Sequence, residues 1–255
     1  MKLSFSKYHG TGNDFVMIDN RKGDVLLTNE QITRICDRHY GVGSDGLILI
    51  ETDEDADYHM NFYNPDASQS YCGNGSRCAF AYANSLGMAG DSATFRAIDG
   101  MHTAQWEGDN VRISLQNVEQ LEDIEGDLLI NTGSPHYVRF VVNVLDTDVV
   151  LRGRQIRYSD RFSEEGVNVN FVQKVQAGIC LRTYERGVEN ETLSCGTGVT
   201  ASAIAGAYKW NLPTPVGVES QGGDLLVDFK REGDSFSHVF LSGPAQFVFK
   251  GEIEL

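Results

Sequence analysis

Two stretches of this chain are built to one plan. YCGNGSRCAFAYANSLG occupies residues 71 to 87, and ETLSCGTGVTASAIAGA occupies residues 191 to 207. In each, a cysteine stands before a glycine-rich joint, and a run of small residues without proline follows. Cys72 and Cys195 lie 123 residues apart. Other segments recur at nearly the same interval. TGNDFVMID at Thr11 returns as TGSPHYVRF at Thr132, offset by 121, and RHYGVGSDG at Arg38 returns as RFSEEGVNV at Arg161, offset by 123. The second match pairs Gly43 with Gly166 and Asp45 with Asn168. Three blocks in one order at nearly one interval indicate a doubled chain. The interval is too long for a solenoid repeat, so the expectation is two related domains facing each other across an approximate twofold axis.

Each half mixes strand and helix signals, which gives an α+β fold class: two pseudo-symmetric α/β domains. Strands are expected at Phe15–Ile18, Leu47–Glu51, Tyr58–Tyr63, Val111–Leu115, Tyr137–Val142, Asn168–Val172, Gly178–Tyr184 and Leu225–Phe229, where residues alternate or are β-branched. Helices are expected at Asn29–Arg38, Gly75–Ser85 and Gly198–Lys209. The acidic segment NVEQLEDIEGD, residues 117 to 127, reads as a linker. The domains are accordingly 1–116 and 117–244, with a last strand in 245–255 returning to the first.

The cysteine at each joint has a physical meaning. The first N–H groups of a helix lack internal partners, and the helix dipole is positive there. A thiol at that end has its thiolate stabilised, below the free pKa of about 8.5. The same N–H groups hold a carboxylate. With the halves face to face, two thiols would address opposite faces of one α-carbon. One thiolate removes the α-proton while the opposite thiol delivers a proton, and the stereocentre inverts. A single base tends to return its proton to the face it came from. Helix-end N–H groups would stabilise charge spreading onto the carboxylate. The pair works with one thiolate and one thiol.

Composition removes other classes. Asp plus Glu number 36 against 21 Lys plus Arg, a net charge of −15, which opposes non-specific nucleic-acid binding. No apolar run is long enough for a membrane span, and MKLSFSKYHG has no signal-peptide core. A cytoplasmic protein is expected. Five cysteines spread over 255 residues do not form a disulfide framework, and no Cys/His group has zinc spacing. Cys36, Cys78 and Cys180 read as packing thiols. GVGSDG at 41–46 matches G-x-G-x-x-G, but a helix-like segment precedes it and a strand-like one follows, the reverse of a dinucleotide fingerprint. No cofactor or metal is expected. The assembly is left open between a single copy and a homodimer.

HGTGNDFV, NPDASQSYCGNGSRC, TGSPH, GVNVNFV, YERGVENETLSCGTG and GPAQFVFKGE together resemble the diaminopimelate epimerase family, from about Lys7 to Glu252. The resemblance implies two similar α/β domains, each a curled, mainly antiparallel sheet around a central helix. It also implies cofactor-independent conversion of LL- to meso-diaminopimelate, in lysine and peptidoglycan precursor biosynthesis. Cys72 and Cys195 then match the acid–base pair. Gly73, Asn74, Gly196 and Thr197 match the helix-end donors, and Asn13 should line the reacting end. Asn64, Asn168 and Arg186 match the clamp on the distant end of the substrate. Glu185 would contact its ammonium, with His136 nearby. Guanidinium suits the clamp because it binds carboxylate as a fork. Ser134 stands where many members have Asn, Gly46 stands where many have Gln, which removes a side chain near the cleft, and Ala67 takes the place of a usual Gly.

Two alternatives stay open. A related proline or hydroxyproline racemase would more often carry His where this chain has Asn74. A non-catalytic amino-acid-binding or thiol-redox protein would show no exchange of substrate α-hydrogen with solvent.

Overall fold

The computed structural model describes residues 1–255. The chain separates into two compact units, one formed by Met1–Ile113 with Gly243–Leu255 and the other by Ser114–Ser242.

The first unit contains β1 (Lys2–Gly10), β2 (Asn13–Asp19), α1 (Asn29–Cys36), β3 (Gly46–Glu51), β4 (Tyr58–Tyr63), α2 (Gly73–Ser85), β5 (Ser92–Ala97), β6 (Gly100–Glu107) and β7 (Asn110–Ser114). The second contains β8 (Leu121–Ile124), β9 (Asp127–Asn131), β10 (Pro135–Phe140), α3 (Val149–Arg157), β11 (Asn168–Val175), β12 (Gly178–Glu185), β13 (Asn190–Thr192), α4 (Gly196–Trp210), β14 (Val216–Ser220), β15 (Gly223–Glu232) and β16 (Ser235–Gly243). The final strand, β17 (Gln246–Glu254), pairs antiparallel with β1.

The pairing pattern repeats step for step. β1–β2 is antiparallel, β2–β3 parallel, β3–β4 antiparallel and β4–β5 parallel. In the second unit β9–β10 is antiparallel, β10–β11 parallel, β11–β12 antiparallel and β12–β14 parallel. Hairpins β5–β6 and β14–β15 then follow. β17 stands beside β1 as β8 stands beside β9.

Both central helices are packed on all sides. Every residue of α2 from Gly73 to Ala83 is buried, as are almost all of α4 from Gly196 to Ala207. Their small residues let strands approach from every side, so these helices lack the single apolar stripe of a surface helix. A side chain at Gly198 would place its Cβ 2.6 Å from Asn170 Oδ1. α1 is a surface helix of the ordinary kind. It starts in a capping box between Thr28 and Gln31 and buries Ile32, Ile35 and Cys36.

Three expectations are corrected. α2 and α4 begin two residues earlier than their periodicity suggests, because each cysteine is itself the N-cap. Residues 117–127 are not a bare linker. Leu121–Ile124 forms β8 and turns into β9 through Glu125 and Gly126, both at positive φ, the geometry a two-residue hairpin needs. Gly46 does not leave an opening. A Cβ there would lie 2.4 Å from the Phe62 ring, so this buried position is already filled. No helix is long and apolar enough to cross a membrane.

Candidate active site

Two of the five cysteines, Cys72 and Cys195, cap the central helices. In the first unit Cys72 Sγ accepts from the Gly75 N–H at 3.4 Å and lies 3.8 Å from Asn13 Oδ1. Asn74 Nδ2 donates to the same Asn13 oxygen at 3.2 Å. Asn13 has a fixed orientation because its Nδ2 donates to Asp45 Oδ2 at 2.8 Å. The amide nitrogen therefore faces Asp45, and the oxygen faces the sulfur and Asn74.

A charge network stands behind Asn13. Arg38 bridges Asp14 and Asp45 at 2.8 and 2.7 Å, and buried Lys7 meets Asp14 at 2.7 Å. Burial would raise the Asp14 pKa, but hydrogen bonds from Arg38 and Lys7 outweigh it and hold it at about 2.

In the second unit Cys195 is buried, and its sulfur lies 3.5 Å from Thr197 Oγ1. A buried hydrogen-bond chain leads to that hydroxyl. Thr183 Oγ1 donates to Asn170 Oδ1 at 2.9 Å, and Asn170 Nδ2 donates to His136 Nδ1 at 3.1 Å. His136 Nε2 meets Thr197 Oγ1 at 2.9 Å. Burial, with the charge of Arg186, pulls the His136 pKa down to about 3, so the ring is neutral. Because Nδ1 accepts from an amide, Nε2 carries the proton and donates to Thr197. The Thr197 hydroxyl keeps its own proton free to turn toward an ionised sulfur.

A third cluster joins Ser134, Asn168 and Arg186. Asn168 Nδ2 donates to Ser134 Oγ at 2.9 Å, and Asn168 Oδ1 accepts the Arg186 backbone N–H at 2.9 Å. Arg186 Nη2 reaches Ser134 Oγ at 3.3 Å, and Nη1 donates to Glu165 O at 2.9 Å. Ser134–Asn168 is the second unit's counterpart of Asn13–Asp45. Glu185 accepts from Thr192 Oγ1 at 2.8 Å. Asn64 is bound within its own loop, donating to Ser68 and Ser70, and no hydrogen bond ties it to Asn13 or Asn74. The same loop holds Ala67 at φ 65°.

Several supporting residues escaped the sequence reading. Asn170 and Thr183 connect only through strand pairing, although two Asn two apart in GVNVNFV mark one face of a buried strand. Asp45 was paired with Asn168 in the repeat but given no role. Arg77, a charged side chain in a helix of mostly small residues, is fully buried.

The doubled α/β plan defines a fold that solved structures share. A *Bacillus anthracis* PhzF-family phenazine biosynthesis protein superimposes with a TM-score of 0.78 at 14% identity, covering all of both chains. A hydroxyproline epimerase from *Agrobacterium vitis* gives 0.71 at 15% identity, covering 100% of this chain and 93% of that one. Sequence narrows the class. The diaminopimelate epimerase family model matches residues 5–119 and 128–248. The diaminopimelate epimerase of *Flavobacterium psychrophilum* is 47% identical over 257 residues, covering 98% of this chain and 100% of the relative. That of *Aquifex aeolicus* is 38% identical over 275 residues, covering 98% of each. This chain belongs to the diaminopimelate epimerase family of isomerases.

Proposed function

We propose that this protein interconverts LL- and meso-diaminopimelate without a cofactor, supplying lysine and peptidoglycan precursors, with Cys72 and Cys195 as the acid–base pair. The observation that carries the proposal is that each unit makes a cysteine the N-cap of its buried central helix, in a chain of this family.

In this reading the substrate's reacting carboxylate accepts N–H groups from the two helix starts, Gly73 and Asn74 on one and Gly196 and Thr197 on the other. Those donors are part of the backbone and need no reorganisation as negative charge moves from the α-carbon to the carboxylate. One sulfur, as thiolate, takes the α-proton. The other sulfur, as thiol, gives its proton to the opposite face and becomes the thiolate. Asn13, with its amide orientation set by Asp45, supports the first sulfur; Thr197, held by His136, supports the second. Arg186, Asn168 and Ser134 recognise the distal carboxylate, assisted by Asn64, and Glu185 takes the distal ammonium. The fork of Arg186 favours a substrate with a second charged end over proline.

The test is incubation of the purified protein with LL-diaminopimelate in D2O, without added pyridoxal phosphate or metal, following both configuration and α-deuterium. Appearance of the meso isomer with deuterium at the inverted carbon is expected. Unchanged configuration with no deuterium uptake would overturn the proposal.

A further inference from the structure

Arg186 opens a turn that returns at Glu189. The Glu189 N–H donates to Glu185 O at 2.8 Å, and Gly187 and Glu189 hold φ values of 91° and 56°. Glycine adopts such values freely; a glutamate keeps one only where its surroundings hold it there. The holding contacts are two. Glu189 Oε1 accepts the Gly187 N–H at 3.1 Å, and Oε2 accepts the Tyr184 hydroxyl at 2.9 Å. A single carboxylate thus ties the backbone of the turn to β12.

The Tyr184 end of this tie is rigid. Its side chain packs on α3, where a Cβ at Gly153 would lie 2.4 Å from Tyr184 Cβ. Burial, with the hydrogen bond to Glu189, pushes the Tyr184 phenol up to about 12, so it stays protonated and donates. Arg157, at the end of the same helix, places Nε 3.4 Å from Glu189 Oε1 with its side chain only 13% exposed. Its Nη1 donates to Phe162 O at 3.1 Å.

Arg157 and Arg186 meet over Gly166. A Cβ on this glycine would lie 2.7 Å from Arg157 Cζ and 2.7 Å from Arg186 Cδ, so a larger residue would push the two side chains apart. Two cations packed around one glycine repel each other, and Glu189 is the carboxylate that pairs with Arg157. Arg186 itself rests on neutral groups: Asn168 Oδ1 takes its backbone N–H, and Glu165 O and Ser134 Oγ take its guanidinium.

We propose that Glu189 is a positioning residue for Arg186: it locks the turn that Arg186 begins and balances Arg157 beside it, so that the Arg186 fork stands ready for a substrate with a second carboxylate. The inference rests on the role proposed above for Arg186. Without Glu189 the turn loses both side-chain ties and Arg157 loses its counter-charge. Each substrate that binds then has to order the fork itself, and that cost appears as weaker binding.

The experiment uses the turn's own arginine. Trypsin cuts after arginine, so cleavage at Arg186–Gly187, followed by mass spectrometry, reports the turn without reference to activity. Glu189→Gly suits the test because glycine accepts the backbone conformation that glutamate holds at φ 56°. It should speed cleavage at this bond by about tenfold or more, the worth of one charge-assisted hydrogen bond, and leave cleavage after Arg21 in the other unit unchanged. Tyr184→Phe, which removes one tie and keeps the ring, should act in the same direction by about threefold or more. In kinetics with LL-diaminopimelate, Glu189→Gly should raise KM about tenfold, with kcat falling less. Added to Arg186→Met it should change KM little further, because its effect passes through Arg186. Glu189→Gln keeps an acceptor for the Gly187 N–H and lets the Tyr184 hydroxyl turn to accept, so it should recover most of the KM. Unchanged cleavage at Arg186–Gly187 in both the glycine and phenylalanine variants would overturn the inference; the phenylalanine variant decides it alone if the glycine variant fails to fold. KM effects that multiply in the double variant would overturn it as well. Faster cleavage in the variants, with no turnover by the unmodified chain, defeats the proposed function and leaves the positioning of Arg186 standing.

Discussion

Replacing Asn170 by Leu should weaken the second unit more than its volume change suggests. The side chains are similar in size, so the effect comes from stranded partners. Asn170 has no measurable exposure and serves His136 Nδ1, Thr183 Oγ1 and, at 3.4 Å, Tyr137 O. Leu leaves the imidazole nitrogen and the threonine hydroxyl buried without their partners, each at about 1–3 kcal/mol. The added apolar contact offsets part of this, for a net loss of about 2–5 kcal/mol. Adding Thr183→Val removes one stranded group, so the double variant should recover about 1–3 kcal/mol relative to the sum of the single losses. The two tryptophans make the assay specific. Trp210 lies in α4 of the second unit and Trp106 in β6 of the first. In a Trp106→Phe background, urea unfolding followed by fluorescence reports the second unit alone. With Nδ1 unpartnered, His136 no longer has a fixed tautomer to present to Thr197, and turnover should fall about fivefold or more, the worth of roughly one hydrogen bond. An Asn170→Leu variant that unfolds at the parent urea midpoint, or a double variant that shows no recovery, would refute the hydrogen-bond chain.

Three further outcomes are expected. His136 has its folded pKa depressed to about 3 from 6.5, so its contribution to stability is complete above about 6.5 and is lost as pH falls toward 3, approaching tenfold in the folding constant per pH unit. Urea unfolding across that window should show the loss, and His136→Gln should flatten it; an unchanged slope would contradict a neutral buried ring. Ala67→Gly should raise stability by roughly 0.5 kcal/mol, because relief of a left-handed alanine exceeds the added freedom of the unfolded glycine. A lower thermal midpoint would show that the loop tolerates Ala67 without strain. Arg186→Lys should weaken binding of a substrate with a distal carboxylate by about 1.5–3 kcal/mol, seen as a higher KM, because the charge stays but the fork is lost. Unchanged kinetics would remove Arg186 from the clamp.

The repeat was legible because it rests on local backbone demands. Thr-Gly before β2 and β10 and Cys-Gly before α2 and α4 recur wherever the chain makes the same turn, whatever packs around it. Strands such as Tyr58–Tyr63 were legible from alternation alone. α3 was not: Gly153 interrupts it, and its buried residues are only Val149 and Gly153. The β8–β9 hairpin was hidden by acidic residues that read as a linker until two positive-φ positions are known. The thiols and the proposed clamp residues were singled out by residue type and resemblance. Their supports were not, because Asn170 meets His136 only through the register of β10 with β11, in which Val138 pairs with Asn170 and His136 with Asn168. Arg77 was obscured for another reason: an arginine in a short motif reads as solvent-facing, and only three-dimensional packing shows it without water.

The pairing of β17 with β1 has a consequence for how the protein is made. Residues 246–254 leave the ribosome only after every residue of the second unit, so the unit that begins first is completed last. Domains generally fold in order of synthesis; here β1 spends that interval with the edge that will receive β17 open, and such an edge invites pairing with other chains. The same arrangement governs dissection of the gene. A fragment ending at residue 113 lacks the strand that closes its own sheet, whereas 114–242 carries β8 in the equivalent place. Expressing the first unit alone therefore calls for a rearranged gene, in which a short linker carries residues 243–255 directly onto residue 1.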